Sequence, residues 1–167
     1  MTRSRATLVG LDTQILIWGM RDPSDLSPKA MHARWLMESL EKDSTVQLCI
    51  SSIVAQEYLV HIPPPHSRSS VQAVLEEAFL ILPFNMSCAA LAAELHEQSR
   101  PKGSAPISGS RVCIKADCMI VAASRVAGVS KIYSNDPGFR TLASRAGVVC
   151  ERVPTIPPTI FHIAGTP

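Results

Sequence analysis

Four acidic residues stand where a carboxylate is costly unless something answers its charge. Asp117 lies in the stretch RVCIKADCMIVAASRVA (111–127), whose apolar periodicity predicts a helix. Its neighbours three and four residues away, Cys113, Ile114, Ile120 and Val121, are all apolar. The carboxylate therefore falls in the stripe that should face the core, where it needs a partner. Glu57, within SIVAQEYLVHI, has Ile53, Val54, Val60 and His61 at the same spacings. Asp12 closes the apolar run ATLVGL, and Asp136 follows the short strand-like run that begins at Lys131. Taken singly, each acid has an ordinary structural role. Asp12 and Asp136 can cap helices, the latter just before a proline at the first helical position. Glu57 can snorkel at a helix margin, and Asp117 can pair with Lys115 or Arg111. Taken together they suggest one site. Carboxylates brought close repel unless protonated or bound to a cation. An all-oxygen set without His or Cys favours a hard ion, Mg²⁺ or Mn²⁺. Such an ion commonly works on phosphate, polarising the phosphoryl oxygen and activating water.

The elements that must position these acids alternate between strand and helix. Residues 6–11 form an apolar run without polar alternation, as expected of a strand buried on both faces, and a helical segment follows at 13–20. A loop spans 22–28, an amphipathic helix 29–42, and a second strand 45–50. Ser51 and Ser52 then offer N-caps to the helix carrying Glu57, which Pro63–Pro65 stop. Further elements are a helix near 67–78, a strand at 79–84 and a helix at 87–100, whose Glu94 and Glu97 look merely solvated. A Pro/Gly/Ser-rich loop occupies 101–110. After the Asp117 helix come a strand at 131–134, a helix from Pro137 and a strand at 148–153. This alternation predicts a single α/β domain with a central, mostly parallel sheet and helices on both faces. Such a sheet aligns strand ends and helix starts along one edge, so four distant acids can converge there. The domain is expected over 1–153, with a proline-rich tail over 154–167.

Composition narrows the classes. Hydrophobic residues make up 46% and charged residues 18%, which is globular rather than disordered. A formal net charge of +2 neither announces nor excludes a nucleic-acid partner, since local patches decide. The five cysteines form no CxxC pair and read as reduced, mostly buried residues of a cytoplasmic protein. Asp12 interrupts the N-terminal apolar run and no cleavage site follows, so no signal peptide is expected. No stretch reaches membrane-spanning length.

Four segments in order, LDTQILIWG, SSIVAQEYL, KADCMIVAAS and IYSNDPGF, resemble the acidic motifs of PIN-domain ribonucleases, especially the toxins of VapBC-type toxin–antitoxin pairs. The resemblance runs from residue 7 to about 150. It implies a PIN-like fold and a Mg²⁺- or Mn²⁺-dependent endonuclease acting on RNA. Asp12, Glu57, Asp117 and Asp136 fall on the family's metal-binding and catalytic acids. Thr13 and Ser134 fall on its supporting hydroxyls, and Asn135 on a polar position beside the last acid. Gln14 stands where asparagine is frequent. Lys102, Arg111 and Lys115 are candidates to contact the substrate. Aromatics at only 5% favour recognition of RNA shape and backbone over a stacking groove. The expected partners are RNA, a cognate antitoxin and a second copy joined through the apolar surface of 53–62. A haloacid-dehalogenase-like phosphatase would need an acid at Gln14, and a response-regulator receiver an acidic pair that is absent. The alternative from another class is a PIN-like module that binds RNA or protein without cutting. The intact set of four acids weighs against it.

Overall fold

The computed structural model describes residues 6–63, 65–99 and 110–156, with the side chains of 65, 66 and 110–113 left out. Five strands, β1 (Thr7–Leu11), β2 (Val46–Ser51), β3 (Leu80–Leu82), β4 (Lys131–Tyr133) and β5 (Val149–Glu151), form one sheet in the order β3-β2-β1-β4-β5. Every pairing is parallel, where the sequence suggested a mostly parallel sheet. Seven helices connect them: α1 (Thr13–Met20), α2 (Pro28–Glu41), α3 (Ser52–Val60), α4 (Pro65–Ala78), α5 (Met86–Gln98), α6 (Ser110–Ala127) and α7 (Pro137–Arg145). The chain moves outward from β1 to β3, then crosses to β4 and continues to β5. Right-handed crossovers therefore place α1–α4 on one face and α5–α7 on the other.

Burial agrees with two covered faces. Val9, Gly10 and Leu11 are buried consecutively, as are Cys49, Ile50 and Ser51, which a half-exposed sheet would not allow. Phe139, Leu11, Ile15, Leu16, Ile50, Ile120 and Ile132 fill the two layers. Gly10 lets β4 pack closely, since a Cβ there would meet Ile132 Cγ1 at 3.2 Å. The described cysteines are free, with Cys49, Cys88 and Cys118 buried and Cys150 half-buried.

Helix ends are written in the sequence. Ser51 Oγ accepts from Val54 N at 3.1 Å to start α3, and Pro28 and Pro137 open α2 and α7. α6 ends at Gly128 (φ 74°), where Val129 N donates to Ser124 O at 2.9 Å and turns the chain directly into β4. Two strands are shorter than expected. β3 covers Leu80–Leu82 rather than 79–84, because Pro83 has no N–H with which to continue the ladder. β5 covers Val149–Glu151 rather than 148–153, although Val153 and Ile156 remain buried against the domain. The expected 101–110 loop lies outside the described residues up to Ser110, which opens α6. The expected tail lies outside them from 157 onward. Among the described residues no helix is long and apolar enough to cross a membrane.

Candidate active site

The sheet order reverses direction at β1, whose neighbours β2 and β4 are reached by connections on opposite faces. Open α/β sheets bind ligands at such a point, beyond the carboxyl ends of the strands. Asp12 follows β1 and is only 6% exposed. Its backbone N–H donates to Tyr133 O at 3.1 Å, which extends the β1–β4 pairing by one residue. Its Oδ1 accepts from Thr13 N at 2.7 Å and its Oδ2 from Ser134 Oγ at 2.7 Å. Ser134 is fully buried, and the same hydroxyl accepts from Asp136 N at 3.1 Å. One serine thus ties the end of β1 to the turn after β4.

Asp136 Oδ1 caps α7 by accepting from Phe139 N at 2.9 Å. Glu57, half-buried on α3, accepts from the Thr13 hydroxyl through Oε2. Asp117 is half-buried on α6, at the margin of a stripe in which Cys118, Ile120 and Val121 are buried. Asn135 Oδ1 accepts from Val153 N at 3.0 Å, which fastens the chain leaving β5 to the same turn.

These acids feel one another. Burial pushes the Asp117 carboxyl up to about 7, and the charges of Asp12, Asp136 and Glu57 push in the same direction. Burial likewise raises Asp12 to about 6; its hydrogen bonds from Ser134 and Thr13 oppose this, while Glu57 and Asp136 reinforce it. Among the described residues the one ion pair is Lys131–Glu151 at 3.2 Å, so no described cation is bridged to any of the four acids. Lys115, the pairing partner considered for Asp117, is exposed and makes no such bridge. Lys102 lies outside the described residues, and Arg111 belongs to α6 with its side chain not described.

The carboxylates nevertheless stand apart. Among the described residues no group of three or more His, Cys, Asp or Glu is gathered so as to hold a metal ion. Glu57 is turned onto Thr13 and Asp136 onto its helix cap, each satisfying a donor. The mutual charge effects and the absence of a tight cluster are compatible, because Coulomb forces reach further than ligand bonds. The chemistry of the donors, all oxygen and uncompensated, fits a hard divalent cation.

Two cavities involve residues of this region. One of about 370 Å³ is lined by Thr13, Gln56, Glu57, Val60 and His61. Another of about 450 Å³ is lined by Lys29, His32, Asn135, Arg152, Val153 and Thr155. Gln56, His61, Lys29, His32 and Arg152 were not singled out in the sequence. They are scattered, polar and flanked by nothing distinctive, so only the assembled fold reveals them. A larger groove of about 480 Å³ between α3 and α4 is mainly apolar and holds none of the four acids.

A five-stranded parallel α/β sheet with Asp12 at its switch point defines a class, and sequence comparison identifies it. The PIN domain model matches residues 9–144, and the chain belongs to the PIN-domain family. No curated protein matches it in sequence. Solved structures with the same fold include DNA-bound VapBC from Salmonella typhimurium, with 18% identity, a TM-score of 0.58, and coverage of 89% of this chain and 99% of that one. VapBC-1 from nontypeable Haemophilus influenzae has 15% identity and a TM-score of 0.59, covering 87% and 98%. The sarcin–ricin-loop-cleaving toxin VapC20 of Mycobacterium tuberculosis has 16% identity and a TM-score of 0.57, covering 84% and 96%. At these identities the likeness is one of fold.

Proposed function

We propose that this PIN domain is a metal-dependent endoribonuclease that hydrolyses RNA phosphodiester bonds at the four-acid cleft. The observation that carries the reading is the geometry of the strand-end edge: Asp12 is buried and held by Ser134 and Thr13, and Glu57 is held by the Thr13 hydroxyl. No described cation bridges any of the four acids, and burial together with the charges of the other three pushes the Asp117 carboxyl upward. Capping accounts for Asp12 and Asp136, but it gives no reason for Glu57 and Asp117 to add their charges without a bridged cation. Asp12, Glu57, Asp117 and Asp136 would hold Mg²⁺ or Mn²⁺. When bound, the ion would supply charge stabilisation at the phosphoryl oxygen and a water of lowered pKa. The chain's own part is to present oxygen donors in fixed orientations. Ser134 and Thr13 N–H orient Asp12, the Thr13 hydroxyl orients Glu57, and the start of α7 orients Asp136.

We also propose a cognate antitoxin as partner, making the chain the toxin of a pair. The fold neighbours are VapBC complexes and a VapC toxin, which supports this assignment. The groove lined by Ala55, Leu59 and Leu75, with Val60 59% exposed beside it, offers apolar surface for such a chain.

The test is cleavage of a mixed RNA pool with Mn²⁺ and with EDTA. Cleavage with Mn²⁺ only, lost in Asp12→Asn, Glu57→Gln, Asp117→Asn and Asp136→Asn, is expected. Undiminished cleavage by any two of these variants, with contaminating nuclease excluded, would remove the four-acid site. RNA binding without cleavage under both conditions would instead make the domain a non-cutting module.

A further inference from the structure

The cavity beside Asn135 differs in character from the acidic cleft it adjoins. Its lining draws on the first turns of α2 (Lys29 and His32), the turn after β4 (Asn135) and the segment after β5 (Arg152, Val153 and Thr155). No carboxylate lines it. The Asn135 carbonyl oxygen is taken by Val153 N, which leaves its amide N–H groups without a hydrogen-bond partner among the described residues. Lys29 and Arg152 are exposed, and His32 is half-buried. The Lys29 ammonium lies 5.8 Å from the centroid of the Trp18 ring, a cation–π contact that restrains the side chain. Of the acids nearby, Asp25 senses Lys29 but already accepts from Ser27 N at 2.8 Å, and Glu151, which precedes Arg152, is bridged to Lys131.

A pocket of donors with no acceptor carboxylate is built for an anion. Its position decides which anion. Asn135 precedes Asp136 directly in the chain, so the cationic pocket adjoins the turn that carries Asp136. In the metal-free protein a phosphodiester facing the acids is repelled, so positive charge beside them is needed to hold the strand. We propose that Lys29, Arg152 and Asn135 form a phosphate subsite, seating the backbone phosphate of the RNA adjacent to the one presented to the four acids. The proposal rests on the nuclease reading for its substrate, and it concerns binding rather than cleavage. These residues position the strand; they do not touch the reacting atoms. The pocket is common chemistry for a backbone phosphate and for free phosphate, so both are tested.

The experiment measures binding of a fluorescently labelled single-stranded RNA in EDTA, by anisotropy at several NaCl concentrations. Wild type is compared with Lys29→Ala/Arg152→Ala, and with the charge-keeping Lys29→Arg/Arg152→Lys. Lys42→Ala/Arg125→Ala serves as a control. It removes the same two charges from the opposite edge of the sheet, where α2 and α6 end before β2 and β4. The subsite predicts an affinity about tenfold lower for the first variant. The slope of log K against log salt should flatten by roughly 0.7, the value for one single-strand phosphate contact. The charge-keeping variant should recover most of the affinity, and the control should lie close to wild type. Equal losses in the first variant and the control would overturn the subsite, because net charge alone would then explain binding. Wild-type-like binding by the first variant would overturn it too. So would millimolar inorganic phosphate raising the wild-type melting point through Lys29 and Arg152 while RNA binding ignores them. If RNA binding shows the predicted dependence but Mn²⁺ brings no cleavage, the subsite stands and the nuclease reading falls.

Discussion

Replacing Asp117 by asparagine should stabilise the metal-free protein. The substitution keeps shape and polarity and removes one charge from a site where burial and three other acids oppose it. A carboxyl held near 7 instead of 3.8 corresponds to about 4 kcal/mol of resistance to ionisation if nothing screened it. The group is half-exposed, and water and counterions take up much of that, leaving about 1 kcal/mol. In a domain of this size about 1 kcal/mol moves the melting midpoint by roughly 2–4 °C. The sign follows from linkage. The folded carboxyl holds its proton to higher pH than the unfolded one, so between about pH 4 and 7 the folded state binds more protons. Wild-type stability therefore falls as pH rises through that window. The advantage of Asp117→Asn should be absent near pH 4, grow towards pH 7 and stay constant above it. Thermal melts in EDTA across this range measure it. Mn²⁺ should then stabilise wild type, by binding only the folded state, and stabilise the variant much less. A variant less stable than wild type at pH 8 in EDTA would refute the reasoning, because Asp117 would then have a favourable partner such as Lys115.

Two further substitutions probe the supports. Ser134→Ala removes the hydrogen bond to Asp12 and leaves Asp136 N without its acceptor, at a cost of about 1–3 kcal/mol. It should also raise the Asp12 carboxyl further and move the acid limb of any pH–rate profile upward, which denaturant melts and initial rates would show. Thr13→Val keeps the side-chain volume but takes the hydroxyl from Glu57. Cleavage should fall while the melting point changes little, and an unchanged rate would leave Thr13 without a role.

Much of this was legible because local chemistry and fold agree. The uninterrupted apolar run before Asp12 marks a strand covered on both faces, and Val9–Leu11 are buried in succession. Asp12 and Asp136 showed two meanings in the sequence, cap or site. The structure gives both caps, with Asp12 bonded to Thr13 N and Asp136 to Phe139 N. Capping places each carboxylate at the same sheet edge, so the ordinary role does not compete with the proposed one. The Ser134 bridge was less visible, because its partner Asp12 is 122 residues away and the contact depends on β1 pairing with β4. Strand order was not legible at all. Short parallel strands joined by helices are compatible with several orders, and only the reversal at β1 creates the cleft. The cationic pocket was hidden for the same reason: Lys29 and Arg152 are ordinary surface residues until α2 and the chain after β5 are brought to one turn.

Equilibrium binding of Mn²⁺ tests the central claim most directly, that four separate acids make one cation site. Calorimetric titration of wild type should show saturable binding that strengthens as pH rises through about 6 to 7, where Asp12 and Asp117 lose their protons. Asp12→Asn, Glu57→Gln, Asp117→Asn and Asp136→Asn should each weaken it severalfold or more, with Lys115→Ala close to wild type. Mn²⁺ affinity unchanged in Asp12→Asn and Asp117→Asn, or independent of pH across that range, would contradict the account.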